Sequence, residues 1–120
     1  MKKKTLVLGA SLKSFRFSNF AINRLVNHGV EVVALGVKSG DVFGVWVDTE
    51  VKPYKDVHTV TLYLNPGNQK GYYDFIVSLS PKRVIFNPGT ENPELYTILK
   101  ANGICFEEAC TLVLLASNQY

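Results

Sequence analysis

The residues with chemical capacity gather near the start of the chain. In the stretch GASLKSFRFSN, Gly9 is followed by Ala10, by the hydroxyls of Ser11 and Ser18, and by two cations, Lys13 and Arg16. A glycine turn leading into a helix makes an anion site, because free backbone N–H groups and the positive end of the helix dipole point at whatever sits in the turn. Two cations and two hydroxyls in one such loop predict a phosphate-bearing ligand. Of the dinucleotide fingerprint G-x-G-x-x-G only the first glycine is present, since the loop reads G-A-S-L-K-S. Many α/β proteins also open with strand, glycine and helix simply because the turn needs a residue without Cβ.

The remaining reactive side chains form no catalytic constellation. His28 falls at a predicted helix C-terminus, where positive charge is favourable against the dipole. His58 reads as a surface residue without an acid or nucleophile at a matching spacing. Cys105 stands in an apolar run and is expected in the core. Cys110 follows Glu107 and Glu108, whose negative charge is expected to blunt the reactivity of a neighbouring thiol. Two cysteines are too few for a disulfide framework, and with both histidines far away in sequence no metal site is expected.

The elements that must position these residues follow from periodicity. Thr5 to Leu8 is a short run of β-formers and predicts a buried strand. Ser18 is the expected N-cap of a helix to His28, stopped by Gly29. Val30 to Gly36 reads as the second strand, joined to that helix by a short turn suited to a crossover. Residues 38–57 have no helical period and are expected to form a long loop with an extended piece at Val45 to Val47. Thr59 to Leu64 is the third strand. Pro66 and Gly67 open a helix that buries Tyr72, Phe75, Ile76 and Leu79 and ends at Ser80-Pro81. Arg83 to Phe86 is the fourth strand. Asn92 and Pro93 start a helix with the apolar stripe Leu95, Ile98 and Leu99, stopped at Asn102-Gly103. Ile104 to Phe106 is a short fifth strand, and Thr111 to Ala116 is a last helical turn or terminal strand.

This alternation predicts a Rossmann-like, doubly wound α/β fold: a mainly parallel five-stranded sheet with helices on both faces. Ligands of such folds bind beyond the carboxyl ends of the strands, where the strand order reverses. Every predicted strand end is a polar loop containing glycine or proline. The second strand ends at Gly36-Val37-Lys38, with a cation where a dinucleotide site commonly places a carboxylate for the ribose. That substitution suits an adenosine with an extra phosphate, as in coenzyme A or NADP, although a lysine in such a loop can equally be a plain exposed residue.

Taken in order, GASLKSFRFSN, VVALGVKSGDVFGVWVDTEV, LYLNPGN and FNPGTEN resemble the CoA-binding domain family of small Rossmann-type proteins. The same pattern is similar to the N-terminal domain of the succinyl-CoA synthetase α subunit. The resemblance implies that Gly9, Ala10, Ser11, Lys13 and Arg16 hold the pyrophosphate, and that Lys38 approaches the ribose phosphate or the adenine. It implies that Leu64, Asn65 and Pro66 line the adenine side, and that the loop of Asn87, Gly89, Thr90 and Glu91 lies near the pantetheine arm. Cys110 falls where many of the stand-alone proteins carry an Asp-Arg-Cys motif, so it is the one thiol placed to form a mixed disulfide with a ligand thiol. Here Glu108-Ala109 precedes it instead of Asp-Arg, Asn65 replaces a proline, and the synthetase's phosphorylated histidine belongs to a further domain, so its ligase chemistry is not implied.

The chain has 120 residues, 47% of them hydrophobic and 19% charged, with a formal net charge of +3. This suits one domain over residues 1–120. No basic stripe with interleaved aromatics points to nucleic acid, and no apolar run of ~20 residues points to a membrane span. Lys2, Lys3 and Lys4 are expected to form a solvated tail. Without a secretory apolar region behind them, the chain is expected to be cytoplasmic. The function expected is non-catalytic binding of coenzyme A or an acyl-CoA. The alternatives are an enzyme or sensor using NADP or another nucleotide, and a partner-binding scaffold with a vestigial cleft, which the aromatics Phe15 and Phe17 would suit, although the same two rings would equally suit covering an adenine.

Overall fold

Four short apolar runs pair into the parallel centre of a seven-stranded sheet in a computed structural model that describes residues 3–120. The strands are β1 (Thr5–Ala10), β2 (Val32–Gly36), β3 (Gly40–Val42), β4 (Val45–Asp48), β5 (Thr59–Leu62), β6 (Arg83–Phe86) and β7 (Cys105–Glu108). Their spatial order is β3-β4-β2-β1-β5-β6-β7, and only β3 and β4 are antiparallel. The helices are α1 (Phe17–Asn27), α2 (Pro66–Gln69), α3 (Tyr73–Leu79), α4 (Pro93–Ala101) and α5 (Thr111–Ala116), with a 3₁₀ turn at Lys70–Tyr72 joining α2 to α3.

Alternation along the strands divides the core between two faces. Leu6, Leu8, Leu35, Val60, Leu62, Val84 and Phe86 pack with Ile76 of α3 and with Leu95 and Leu99 of α4. Val7, Ala34, Val42 and Val47 pack on the other face with Ile22 and Leu25 of α1 and Leu115 of α5. Strands covered on both sides read as continuous apolar runs, which is why the central ones were legible.

The sheet has seven strands where five were expected. The stretch expected as a loop folds into a β3–β4 hairpin, closed by Phe43 (φ 51) and Gly44 (φ 85) between the paired Val42 and Val45. Two consecutive positive φ values mark a type I′ turn, normally announced by Asn-Gly, so Phe-Gly hid it. At the other edge, β7 reaches Glu108.

Several boundaries also move. β1 runs on to Ala10, across a register irregularity at Gly9. β2 starts at Val32, and β5 stops at Leu62. The last segment is helical, as α5. Cys105, expected in the core, is exposed on the edge strand β7. The tail reading changes too: Lys3 Nζ donates to Tyr120 O at 2.5 Å, and Lys4 pairs with Glu31 at 3.6 Å. Lys2 lies outside the described residues. His28 occupies the C-cap of α1, its Nδ1 2.7 Å from Arg24 O. His58, expected at the surface, is half-buried beside Thr59, its Nδ1 2.8 Å from Thr59 Oγ1.

Candidate functional site

The sheet winds in opposite directions on either side of β1 and β5, because β1 is followed outward by β2 while β6 and β7 extend beyond β5. Loops leaving β1 and β5 therefore diverge and leave a crevice between them. A cleft of about 650 Å³ lies there, walled by the loops after β1, β2, β5 and β6. That volume is within the range of small-molecule sites.

Two glycines allow the strand ends to converge. Gly9 has φ +98, and a Cβ on it would stand 2.9 Å from the carbonyl carbon of Tyr63. A Cβ on Gly36 would lie 2.1 Å from the Ala10 carbonyl oxygen. Any other residue at these places would push the β1, β2 and β5 ends apart and alter the cleft floor.

The loop from β1 to α1 is braced from inside. Ser18 Oγ accepts from the Ser11 N–H at 3.1 Å, Asn19 Nδ2 donates to Ser11 O at 3.0 Å, and Ser11 Oγ accepts from the Lys13 N–H at 3.1 Å. Ser18 is thus a buried brace and not the N-cap. Arg16 holds the N-cap position with extended backbone, and the first turn of α1 has no capping side chain and no acid. The positive end of the helix is left uncompensated on the cleft wall, beside Arg16, Phe17 and Ser18.

Lys13, Arg16 and Lys38 also line the cleft, and none of its lining residues is acidic. The ion pairs among the described residues are Lys4–Glu31 and Lys52–Asp48, so these three cations are left to a ligand or to water. The Arg16 guanidinium lies 5.5 Å from the ring of Phe15, and Phe15 and Phe17 remain 69% and 70% exposed.

The opposite wall is built differently. Asn65 caps α2, its side chain accepting from the Asn68 N–H at 2.9 Å. In the turn after β6, the Thr90 N–H and hydroxyl both donate to Asn87 O, at 3.0 and 2.7 Å, and the Gly89 N–H donates to Glu91 Oε1 at 2.8 Å. Pro88 has no N–H, so this turn keeps no free backbone donor. One wall carries the cations Lys13, Arg16 and Lys38, and the other carries none.

Of the residues singled out in the sequence, the structure brings together Gly9, Ala10, Ser11, Lys13, Arg16, Ser18, Gly36, Lys38, Leu64, Asn65, Gly89 and Thr90. Four others lie elsewhere. Asn87 is buried, donating from Nδ2 to Thr61 Oγ1 (2.7 Å) and Leu62 O (2.8 Å) and accepting from the Thr111 N–H (2.9 Å), so its amide is consumed in joining β5, β6 and α5. Glu91 braces its own turn. Pro66 is the first residue of α2, where its fixed φ suits the helix. Cys110 occupies the N-cap position of α5, outside the cleft.

Sequence reasoning missed Leu12, Leu35, Tyr63 and Tyr72, and it reached Val37 and Pro88 only as members of strand-end loops; all six also line the cleft. Val37, 89% exposed in a loop, carried a signal as an apolar residue with no core to join. Tyr72 carried none, because the 3₁₀ turn before α3 decides its direction. Tyr63 lines the cleft while its side chain packs with the core on the α1 face, its hydroxyl is buried with no hydrogen-bond partner, and burial pushes its pKa above the ordinary tyrosine value.

The family described as CoA binding domain matches residues 3–116. Among solved structures, the crystal structure of an uncharacterized protein shares 48% identity over 100% of this chain and 99% of that one, with a TM-score of 0.96. A hypothetical protein from Pyrococcus horikoshii OT3 shares 25% identity over 98% and 84% of the two chains, with a TM-score of 0.86. The dinucleotide-forming acetyl-coenzyme A synthetase 1 of Ca. Korarchaeum cryptofilum, solved with phosphate and ADP, shares 17% identity over 88% of this chain and 25% of its own, with a TM-score of 0.71. That last likeness bears on the fold alone. Comparison with curated proteins gives no match.

Proposed function

Because this chain belongs to the CoA binding domain family, we propose that its cleft holds coenzyme A or an acyl-CoA and performs no chemistry on it. The observation that carries this reading is the polarity of the cleft: an uncapped helix N-terminus and three unpaired cations face it, with no acid among its lining residues. A polyanionic nucleotide matches that arrangement. Gly9, Ala10 and Ser11 supply backbone close to a pyrophosphate, Lys13 and Arg16 supply charge, and Lys38 stands at the end of β2 where an extra ribose phosphate would lie. Leu64, Asn65 and the Pro88–Thr90 turn then face the uncharged remainder of the ligand.

Calorimetric titration with CoA, acetyl-CoA, NADP and NAD tests this reading. Micromolar binding of CoA with little for NAD supports it. A preference for NADP over CoA would replace it with the nucleotide-enzyme reading, and silence for all four would favour a scaffold using the exposed Phe15 and Phe17. In the Lys13→Ala/Arg16→Ala protein, CoA affinity is expected to fall by about 1.5–3 kcal/mol for each charge-assisted bond lost. Lys38→Ala is expected to weaken CoA more than dephospho-CoA, and equal losses would remove Lys38 from the ribose phosphate.

A further inference from the structure

The most completely buried amide of the chain stands behind the cleft and not in it. Gln69, 0% exposed, ends the single turn of α2. Its Nε2 donates to Leu64 O and to Thr90 O, each at 2.8 Å. Leu64 belongs to the wall after β5 and Thr90 to the wall after β6, and both line the cleft. Its Oε1 accepts from Asn92 Nδ2 at 2.9 Å, and that same nitrogen reaches Tyr73 Oη at 2.8 Å. Asn92 in turn caps α4 through the Leu95 N–H at 3.4 Å.

Both donors and one acceptor site of a single carboxamide are therefore spent on partners from two loops. An amide placed in an apolar core is costly unless all its bonds are made, and a leucine would fill the space without that cost. What the amide adds is a fixed distance between two backbone carbonyls that no strand ladder connects. We infer that Gln69 is a positioning residue of the cleft: it ties the β5–α2 wall to the β6–α4 wall and so sets their spacing for a ligand long enough to touch both. This rests on the CoA reading, and it assigns specificity for the length of the ligand to a side chain that never touches it.

The phosphate-facing wall, formed by the β1 and β2 loops, shares none of these bonds. Loss of Gln69 should then act on a ligand that spans both tied walls and spare the nucleotide end, which reaches the Leu64 wall and not the Thr90 wall. The test is calorimetry of the wild-type chain and of Gln69→Met, which keeps the volume and removes both donors, with CoA and with adenosine 3′,5′-bisphosphate. The expected result is a loss of about ten-fold or more for CoA and less than about two-fold for the bisphosphate. Tyr73→Phe, which cuts only the outer end of the network, is expected to leave both affinities within about two-fold. If Gln69→Met does not fold, Asn92→Ser keeps a cap on α4 while removing the donor to Gln69 Oε1, and it should show the same selective loss in smaller measure. Equal losses for both probes, or none, overturn the inference, because a merely structural role lowers stability without sorting ligands by length. Wild-type protein that binds neither probe overturns the CoA reading itself.

Discussion

At the scale of single residues, the cleft is governed by what cannot be added and by what is already spent. Gly36 illustrates the first: replacing it with alanine puts a Cβ 2.1 Å from the Ala10 carbonyl oxygen, and backbone must move to relieve the contact. Gly36→Ala is expected to destabilise the fold by about 1–3 kcal/mol, as overpacking does, read as a lowered urea midpoint with unchanged slope. A midpoint equal to wild type would mean the β1 and β2 ends separate without cost. His58 is a second residue with a measurable consequence. Burial first, then Arg83, Lys3 and Lys82, hold its pKa below the ordinary histidine value of 6.5. A depressed folded pKa means the unfolded chain binds the proton more readily, so this contribution is present above 6.5 and is lost as pH falls through the folded value. His58→Asn should flatten the stability profile on that acid side and leave it unchanged near pH 8. An identical acid limb in the variant would show that carboxylates alone produce it.

At the scale of elements, the β3–β4 hairpin shows how a segment without a readable period acquires structure from its neighbours. Val42 and Val47 are buried against the α1 side of the sheet, and β4 gains a parallel partner in β2. The turn itself is poorly served: Phe43 is a bulky residue at φ 51, and it is 53% exposed. Its main local support is Asp41 Oδ2, which accepts from the Gly44 N–H at 3.2 Å. Phe43→Asn relieves the left-handed conformation and costs little burial, so it is expected to stabilise the chain by about 0.5–1 kcal/mol. Differential scanning calorimetry checks this, and a lowered Tm would mean the Phe43 ring has a packing role that outweighs backbone strain.

At the scale of the whole molecule, partly buried tyrosines are distributed over both faces of the sheet and set its alkaline limit. Burial is the first cause of the raised pKa of Tyr54, Tyr63, Tyr96 and Tyr120, with Tyr96 pushed up to about 12. Each folded value lies above the unfolded value of 10, so the folded state gains nothing from ionisation. Their joint contribution is complete below about pH 10 and is lost as pH rises through the folded values. Absorbance of tyrosinate and loss of circular dichroism are therefore expected to rise together above about pH 10. Titration of Tyr54, Tyr63, Tyr96 and Tyr120 near 10 with the fold intact would contradict this.

What the sequence by itself determined is whatever depends on neighbours a few residues apart. The central strands showed as apolar runs, α4 showed through Asn92, Pro93 and its stripe, and the loop with Lys13 and Arg16 showed through its spacing, because capping, periodicity and turn chemistry are local. The family resemblance rested on the order of such local signals. Only the tertiary structure decided which way each loop residue turns. Asn87 and Glu91 share a loop with Gly89 and Thr90, yet only the latter two reach the cleft, because bonds to Thr61, Leu62 and Thr111 draw Asn87 inward. Gln69 looked like an ordinary helix residue until packing placed it between two carbonyls 5 and 21 positions away. Such pairings are invisible in a sequence, because their partners are chosen by how the sheet is wound and not by the residues beside them.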